Sequence, residues 1–181
     1  YKDADEAKKL HAASDACFSL QEHINHAARR IERLKAIDNS SEISSKARKF
    51  VHENLMPEWD KAHAHLTKSI QKHNLDAVKP LMKQERCISP SDFGYHNAIL
   101  GKNHKLYFID FEYAGFDDPA KMVCDFFSQP EVPVPFKYLD YFANEVANNI
   151  IDNIADSGKF KQRIDALLPL YRVKWCCIML N

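Results

Sequence analysis

The longest regular pattern of apolar positions lies near the start of the chain. Leu10, Cys17, Ile24 and Ile31 recur every seven residues, and Ala13, Leu20, Ala27 and Leu34 fill the positions three further on. Charged residues flank this seam, so residues 4–36 are expected to form one long amphipathic helix with an a/d stripe. Asp38-Asn39-Ser40-Ser41 reads as a turn, after which Ile43, Ala47, Phe50 and Val51 open a second helical pattern. Pro57 interrupts or restarts that pattern, and Trp59, Ala62, Leu66 and Ile70 carry it to about His73. With so short a turn between them, the two helices are expected to pack as an antiparallel hairpin inside one lobe, in preference to a coiled-coil dimer.

The pattern changes near Cys87. Ala98-Ile99-Leu100 and Leu106-Tyr107-Phe108-Ile109 are short apolar runs, and Gly101-Lys102-Asn103-His104-Lys105 between them reads as a hairpin loop. If the loop centres on Asn103, Asn97 lies opposite Ile109, one position from Asp110. Asp118-Pro119 is a helix start, with Asp at the N-cap and Pro at the first helical position. That helix carries Met122, Val123, Phe126 and Phe127, and Pro130, Pro133 and Pro135 end it in an extended linker. Two further helices are expected near 136–153 and 159–180. The fold class is therefore α+β and mostly helical, with a small β-hairpin. Residues 1–85 form a helical part, 86–128 the hairpin and its flanks, and 129–181 the last helices.

Composition narrows the picture in three ways. Apolar residues make up 45% of 181 residues, enough for the core of one domain or one large lobe. Lys+Arg and Asp+Glu balance at 25 each, which gives no net field toward nucleic acid or an anionic membrane. The five cysteines contain no C-x-x-C pair, and Cys176 and Cys177 are adjacent, which suits reduced thiols in a cytoplasmic protein. No apolar run reaches the roughly 18 residues of a membrane span, and no signal-peptide pattern is seen. The chain opens on Tyr1 and stops just after the apolar run Cys176–Leu180, so both ends are expected to be cuts in a longer protein. His23 with His26, and His63 with His65, invite a metal reading, but no third ligand has suitable spacing, and they read as solvated helix histidines.

The chemistry concentrates in residues 88–113. Asp92 precedes Asn97 by five residues, and Asp110 follows the second apolar run. An acid, an amide and a second acid brought together by one hairpin suit phosphoryl transfer. Mg²⁺ takes one or two oxygen donors from protein, here Asn97 and Asp110, and a separate carboxylate, Asp92, accepts the proton of the attacking hydroxyl. Asp-x-x-x-x-Asn matches a kinase catalytic loop, and Asp110 stands where the metal-binding Asp of Asp-Phe-Gly would stand. The plainer alternatives are a turn residue for Asp92 and a strand-edge cap for Asn97.

The stretch from Pro90-Ser91-Asp92 through Asn97, followed by Ile109-Asp110-Phe111-Glu112, resembles the catalytic core of the aminoglycoside phosphotransferase and choline kinase-like family. Family members typically read His-x-Asp-x-x-x-x-Asn and then Ile-Asp-Phe/Trp-Glu. The run 109–114 is closest to choline kinases, and Gly115 through Asp125 to the aminoglycoside side. The resemblance covers about residues 88–128. It implies the C-terminal lobe of a protein-kinase-like fold that transfers the γ-phosphoryl of ATP, or of GTP, to a hydroxyl of a small polar molecule. Residues 1–85 would then wall the acceptor pocket. Asp125 would brace the catalytic loop, and Ser91 would touch the loop backbone or the substrate. Glu112 and Tyr113, with Tyr171 and Trp175 four apart on the last helix, are candidates for an acidic and aromatic cage around a cationic acceptor. Tyr171 and Trp175 also suit ordinary core positions. The chain departs from the family twice. Pro90 replaces the usual His, which favours a pseudokinase-like binding or scaffolding module as the rival reading. No G-x-G spacing or N-terminal sheet pattern is seen, so the nucleotide lobe is expected to lie outside this chain.

Overall fold

The computed structural model describes residues 5, 9–150 and 157–180. It is mostly helical, with two small antiparallel sheets, an α+β architecture. The helices are α1 (Leu20–Lys35), α2 (Glu42–Phe50), α3 (Met56–His73), α4 (Pro119–Ser128), α5 (Leu139–Ile150) and α6 (Ser157–Met179). The strands are β1 (Cys87–Ser89), β2 (Ala98–Leu100), β3 (Leu106–Phe108) and β4 (Gly115–Asp117). Among the described residues no helix is long and apolar enough to cross a membrane.

The first helix is half as long as its apolar seam predicts. It starts at Leu20, because Ser19 and Glu22 form a capping box: the Ser19 hydroxyl accepts from the Glu22 N–H, and the Glu22 carboxylate accepts from Ser19. Before it, the chain is extended. Ala13 donates its N–H to the Phe116 carbonyl at 2.9 Å, and Phe116 donates to the His11 carbonyl at 2.9 Å, so this segment lies alongside β4. Ala13 and Cys17 are buried there, although Leu10 is exposed. Two of the eight seam positions, Ala13 and Cys17, are thus buried by an extended segment. Residues 1–4 and 6–8, part of the expected helix, lie outside the described residues.

The second helical pattern runs on through Pro57. A single π turn, Val51–Leu55, joins α2 to α3, and Met56 donates to the Val51 carbonyl. Proline has no N–H to give and its ring crowds the carbonyl four residues back; a wider turn just before it relieves both. α3 ends at Asn74, whose φ of 48° is the left-handed cap. α1 meets this helix chiefly at the π turn, where Ile31 and Leu34 pack with Val51 and Leu55. The expected two-helix hairpin is instead opened around α6, which is in contact with α1, α3 and α4. Ile164, Leu167, Leu170 and Tyr171 of α6 join Leu20, Leu66, Val123 and Phe126 in the main core. Val173 and Cys177 lie in the second core, around the π turn. A helix buried on several faces needs no single apolar stripe.

The hairpin has the expected register: Ala98 faces Phe108, Ile99 faces Tyr107 and Leu100 faces Leu106. One step further, Ile109 donates to the Asn97 carbonyl at 2.9 Å. The second sheet, β1 with β4, joins the chain just before the Asp92 loop to the chain just after Asp110. Gly115 lets the extended N-terminal segment approach, since a Cβ there would stand 2.6 Å from the Ala13 nitrogen and the His11 oxygen. Asp118 caps α4, accepting from the Ala120 N–H at 2.7 Å, with Pro119 at the first helical position.

Candidate functional site

Asp92 sits on the loop between β1 and β2. Its two carboxylate oxygens are held from different directions: Oδ1 lies 3.1 Å from His96 Nε2, and Oδ2 accepts from Asn97 Nδ2 at 3.3 Å. Asn97 Nδ2 also donates to the Asp92 carbonyl at 3.0 Å, which closes the five-residue loop on itself. The Asn97 amide nitrogen is thus turned inward, and its oxygen is the atom left over from these bonds. Asp92 remains 40% exposed, so the tethers fix it without covering it. Asp110 is exposed at the end of the hairpin, next to the Ile109–Asn97 bond.

Five non-glycine residues among those described have a left-handed backbone: Asp15, Asn74 and His104, and two at this site. Ser91 has φ 70° and Asp110 has φ 62°, both left-handed and neither glycine. Each such residue costs on the order of 1–3 kcal/mol, and such outliers cluster at functional sites. Ser91 is tied down by its hydroxyl, which donates to the Ser14 carbonyl at 2.8 Å, and by its N–H, which donates to Ser89 Oγ at 3.1 Å. Its contacts are therefore with backbone and with the loop's own strand.

A cleft of about 600 Å³ opens at this loop, lined by Asp92, His96 and Tyr113 together with Trp175, Lys174 and Arg30. Glu112 is exposed and hydrogen-bonds Tyr113. That bond, with the negative charges of Glu112, Asp110 and Asp92, raises the Tyr113 phenol above its usual range. The tyrosine thus feels all three acids. Trp175 faces the cleft, but Tyr171 does not join it in a cage. Tyr171 is 2% exposed, and its hydroxyl is 2.7 Å from His23 Nδ1 inside the core. One turn of helix separates a cleft residue from a core residue.

No protein-family model, curated protein or solved structure matches this chain. The chemistry of the site therefore rests on its own geometry.

Asp125 is fully buried, and its partners lie away from the Asp92 loop: Lys174 Nζ at 2.7 Å and Trp175 Nε1 at 2.9 Å, both on Oδ1, with Lys121 Nζ 3.5 Å from Oδ2. Burial opposes its charge, but Lys174 and Lys121 outweigh it and lower its pKa. It touches the loop only through Trp175, whose ring stands edge-on to His96 at 6.5 Å. Beneath lies a second group of buried ions. Lys121 bonds Asp117, and Asp118 Oδ2 takes Arg163 Nε at 2.6 Å and His23 Nε2 at 3.0 Å. Burial pushes Asp117 up to about 6, against the pull of Lys121. Burial also opposes charge on Asp118, yet Arg163 and His23 hold it well below the carboxylate range. His23, expected to be solvated, is 1% exposed, and burial lowers its pKa.

Sequence reasoning overlooked His96, Arg30 and Lys174. His96 could have been read as the residue four beyond Asp92. Arg30 and Lys174 come from distant helices and gave no local signal. Among the described residues no three His, Cys, Asp or Glu side chains come together as a metal site. The donors expected from the sequence are of another kind, the Asn97 amide oxygen and the Asp110 carboxylate; neither lines the cleft.

Proposed function

We propose that this chain carries the base and metal ligands of a small-molecule kinase of the aminoglycoside phosphotransferase and choline kinase-like type, as the C-terminal lobe of a protein-kinase-like fold. The observation that supports it is the clamping of Asp92 at the mouth of a cleft by Asn97, whose backbone in turn pairs with the residue beside Asp110. In this reading the acceptor's hydroxyl oxygen attacks the γ-phosphorus of ATP or GTP. The bond to the bridging oxygen breaks, the nucleoside diphosphate leaves, and the hydroxyl proton passes to Asp92. Asn97 and Asp110 would hold Mg²⁺, which neutralises phosphate charge when bound. Glu112, Tyr113 and Trp175 would face the acceptor, a small polar molecule such as choline, another amino alcohol, a sugar or an aminoglycoside.

The rival, a pseudokinase-like binding module, is favoured by Pro90, which stands where the kinases it resembles carry His. A screen of those acceptors on the full-length protein, read as ADP release, separates the two. Transfer that disappears in Asp92→Ala supports the kinase. MgATP binding by calorimetry without transfer to any acceptor supports the binding module. Absence of MgATP binding removes both the metal and the base assignments.

A further inference from the structure

We infer that His96 is the positioning residue for Asp92, holding its carboxylate within the loop; this rests on the kinase reading above. An ionised carboxylate only accepts hydrogen bonds, so the 3.1 Å contact is His96 Nε2–H donating to Asp92 Oδ1. Together with Asn97 on Oδ2, it fixes the plane of the carboxylate as well as its place. The side chain of His96 is 11% exposed, and its Nδ1 is buried with no hydrogen-bond partner. Leaving a buried ring nitrogen unpaired is unfavourable. The ring is thus held in this orientation by what its other nitrogen and its faces meet.

Two neighbours shape that seat. Trp175, anchored through Nε1 on buried Asp125, stands edge-on to the imidazole. Gly94 lies against the ring: a Cβ at position 94 would stand 2.6 Å from Nδ1 and 2.8 Å from Cε1. The Gly94 backbone is extended, with φ −178°, so any residue could adopt it. The absence of a side chain there provides room for the imidazole. A path of contacts therefore runs from Asp125 through Trp175 and His96 to the base, and this is how Asp125 can brace a loop it never touches.

The test is steady-state ADP release from MgATP by the full-length protein, with the best acceptor of the screen or with water. His96→Ala is expected to lower kcat by about 10²-fold, the scale of a misplaced reacting group, while KM for MgATP stays within about 2-fold. His96→Gln, which keeps a side-chain N–H, should recover most of the rate. Gly94→Ala should imitate His96→Ala with the histidine still present. On an Asp92→Asn background, His96→Ala should have no further effect. Equal thermal melts of the single variants check the fold. Unchanged kcat in both His96→Ala and Gly94→Ala, with Asp92→Asn inactive, overturns the role of His96 and leaves the kinase reading standing. Full activity in Asp92→Asn, or no turnover by the wild type, overturns both.

Discussion

Two sets of acids lie close together in this chain and are treated in opposite ways. Asp117, Asp118 and Asp125 are buried, each bonded to Lys121, Arg163 or Lys174. Asp92, Asp110 and Glu112 are partly or fully exposed, and none has a Lys or Arg ion-pair partner among the described contacts. A buried acid paired with a buried cation is closed off from any ligand, and its contribution is to the fold. An acid held by Asn97 and His96 with no Lys or Arg upon it, as Asp92 is, keeps its access. The difference separates the acids that build the fold from those that can act on something else, in a region where both kinds occur within 34 positions.

The comparison breaks or sharpens at four points. Asp92→Asn should lower phosphoryl transfer by about 10³-fold, within the range for a general base, and leave the urea midpoint of residues 1–181 unchanged. Asp118→Ala should do the reverse to stability, costing about 3–5 kcal/mol in urea unfolding because it strands Arg163 and His23 in the core. A large loss of stability in the first variant, or a negligible one in the second, would erase the division.

The third point is pH. Burial, aided by Lys174 and Arg30 against Asp15, lowers His26 to about 4. The unfolded histidine titrates near 6.5, so between those values the unfolded chain binds more protons and stability falls on acidification. Asp117, raised to about 6, acts in the opposite sense over its own window, since its native form binds the proton first. His26→Asn should therefore lose less stability than the wild type between pH 7 and 4.5, measured by paired urea titrations. The smallest effect is at Tyr171→Phe, which loses one buried hydrogen bond to His23, about 1 kcal/mol, with KM for every acceptor unchanged. A raised KM there would return Tyr171 to the cleft.

The parts legible in the sequence were those governed by neighbours. The register of the β2–β3 hairpin followed from loop length, and the start of α4 from Asp118-Pro119. The N-terminal helix misled because Leu10, Ala13 and Cys17 keep heptad spacing while serving an extended segment. The correcting signal, Ser19-Leu20-Gln21-Glu22, was a capping box inside the seam. Asp117, Lys121 and Asp125 recur every four residues, and that spacing alone would suit a solvated face of charges. Only Lys174, 49 residues beyond Asp125, reveals the burial. His96 escaped notice for a related reason: its partner is local, but its seat is made by Trp175 on a helix far along the chain.

The hydrogen bond from Ala13 to Phe116 has a consequence for how the chain is made. The segment that flanks β4 leaves the ribosome before β4 does, and its partner follows about a hundred residues later. At about 5–20 residues per second that is a wait of about 5–20 s. During it, Ala13 and Cys17 have no shelter, and the Ser14 carbonyl has no Ser91 hydroxyl to receive. The loop that carries Asp92 is therefore tied down only after a segment 77 positions earlier in the chain has waited for it.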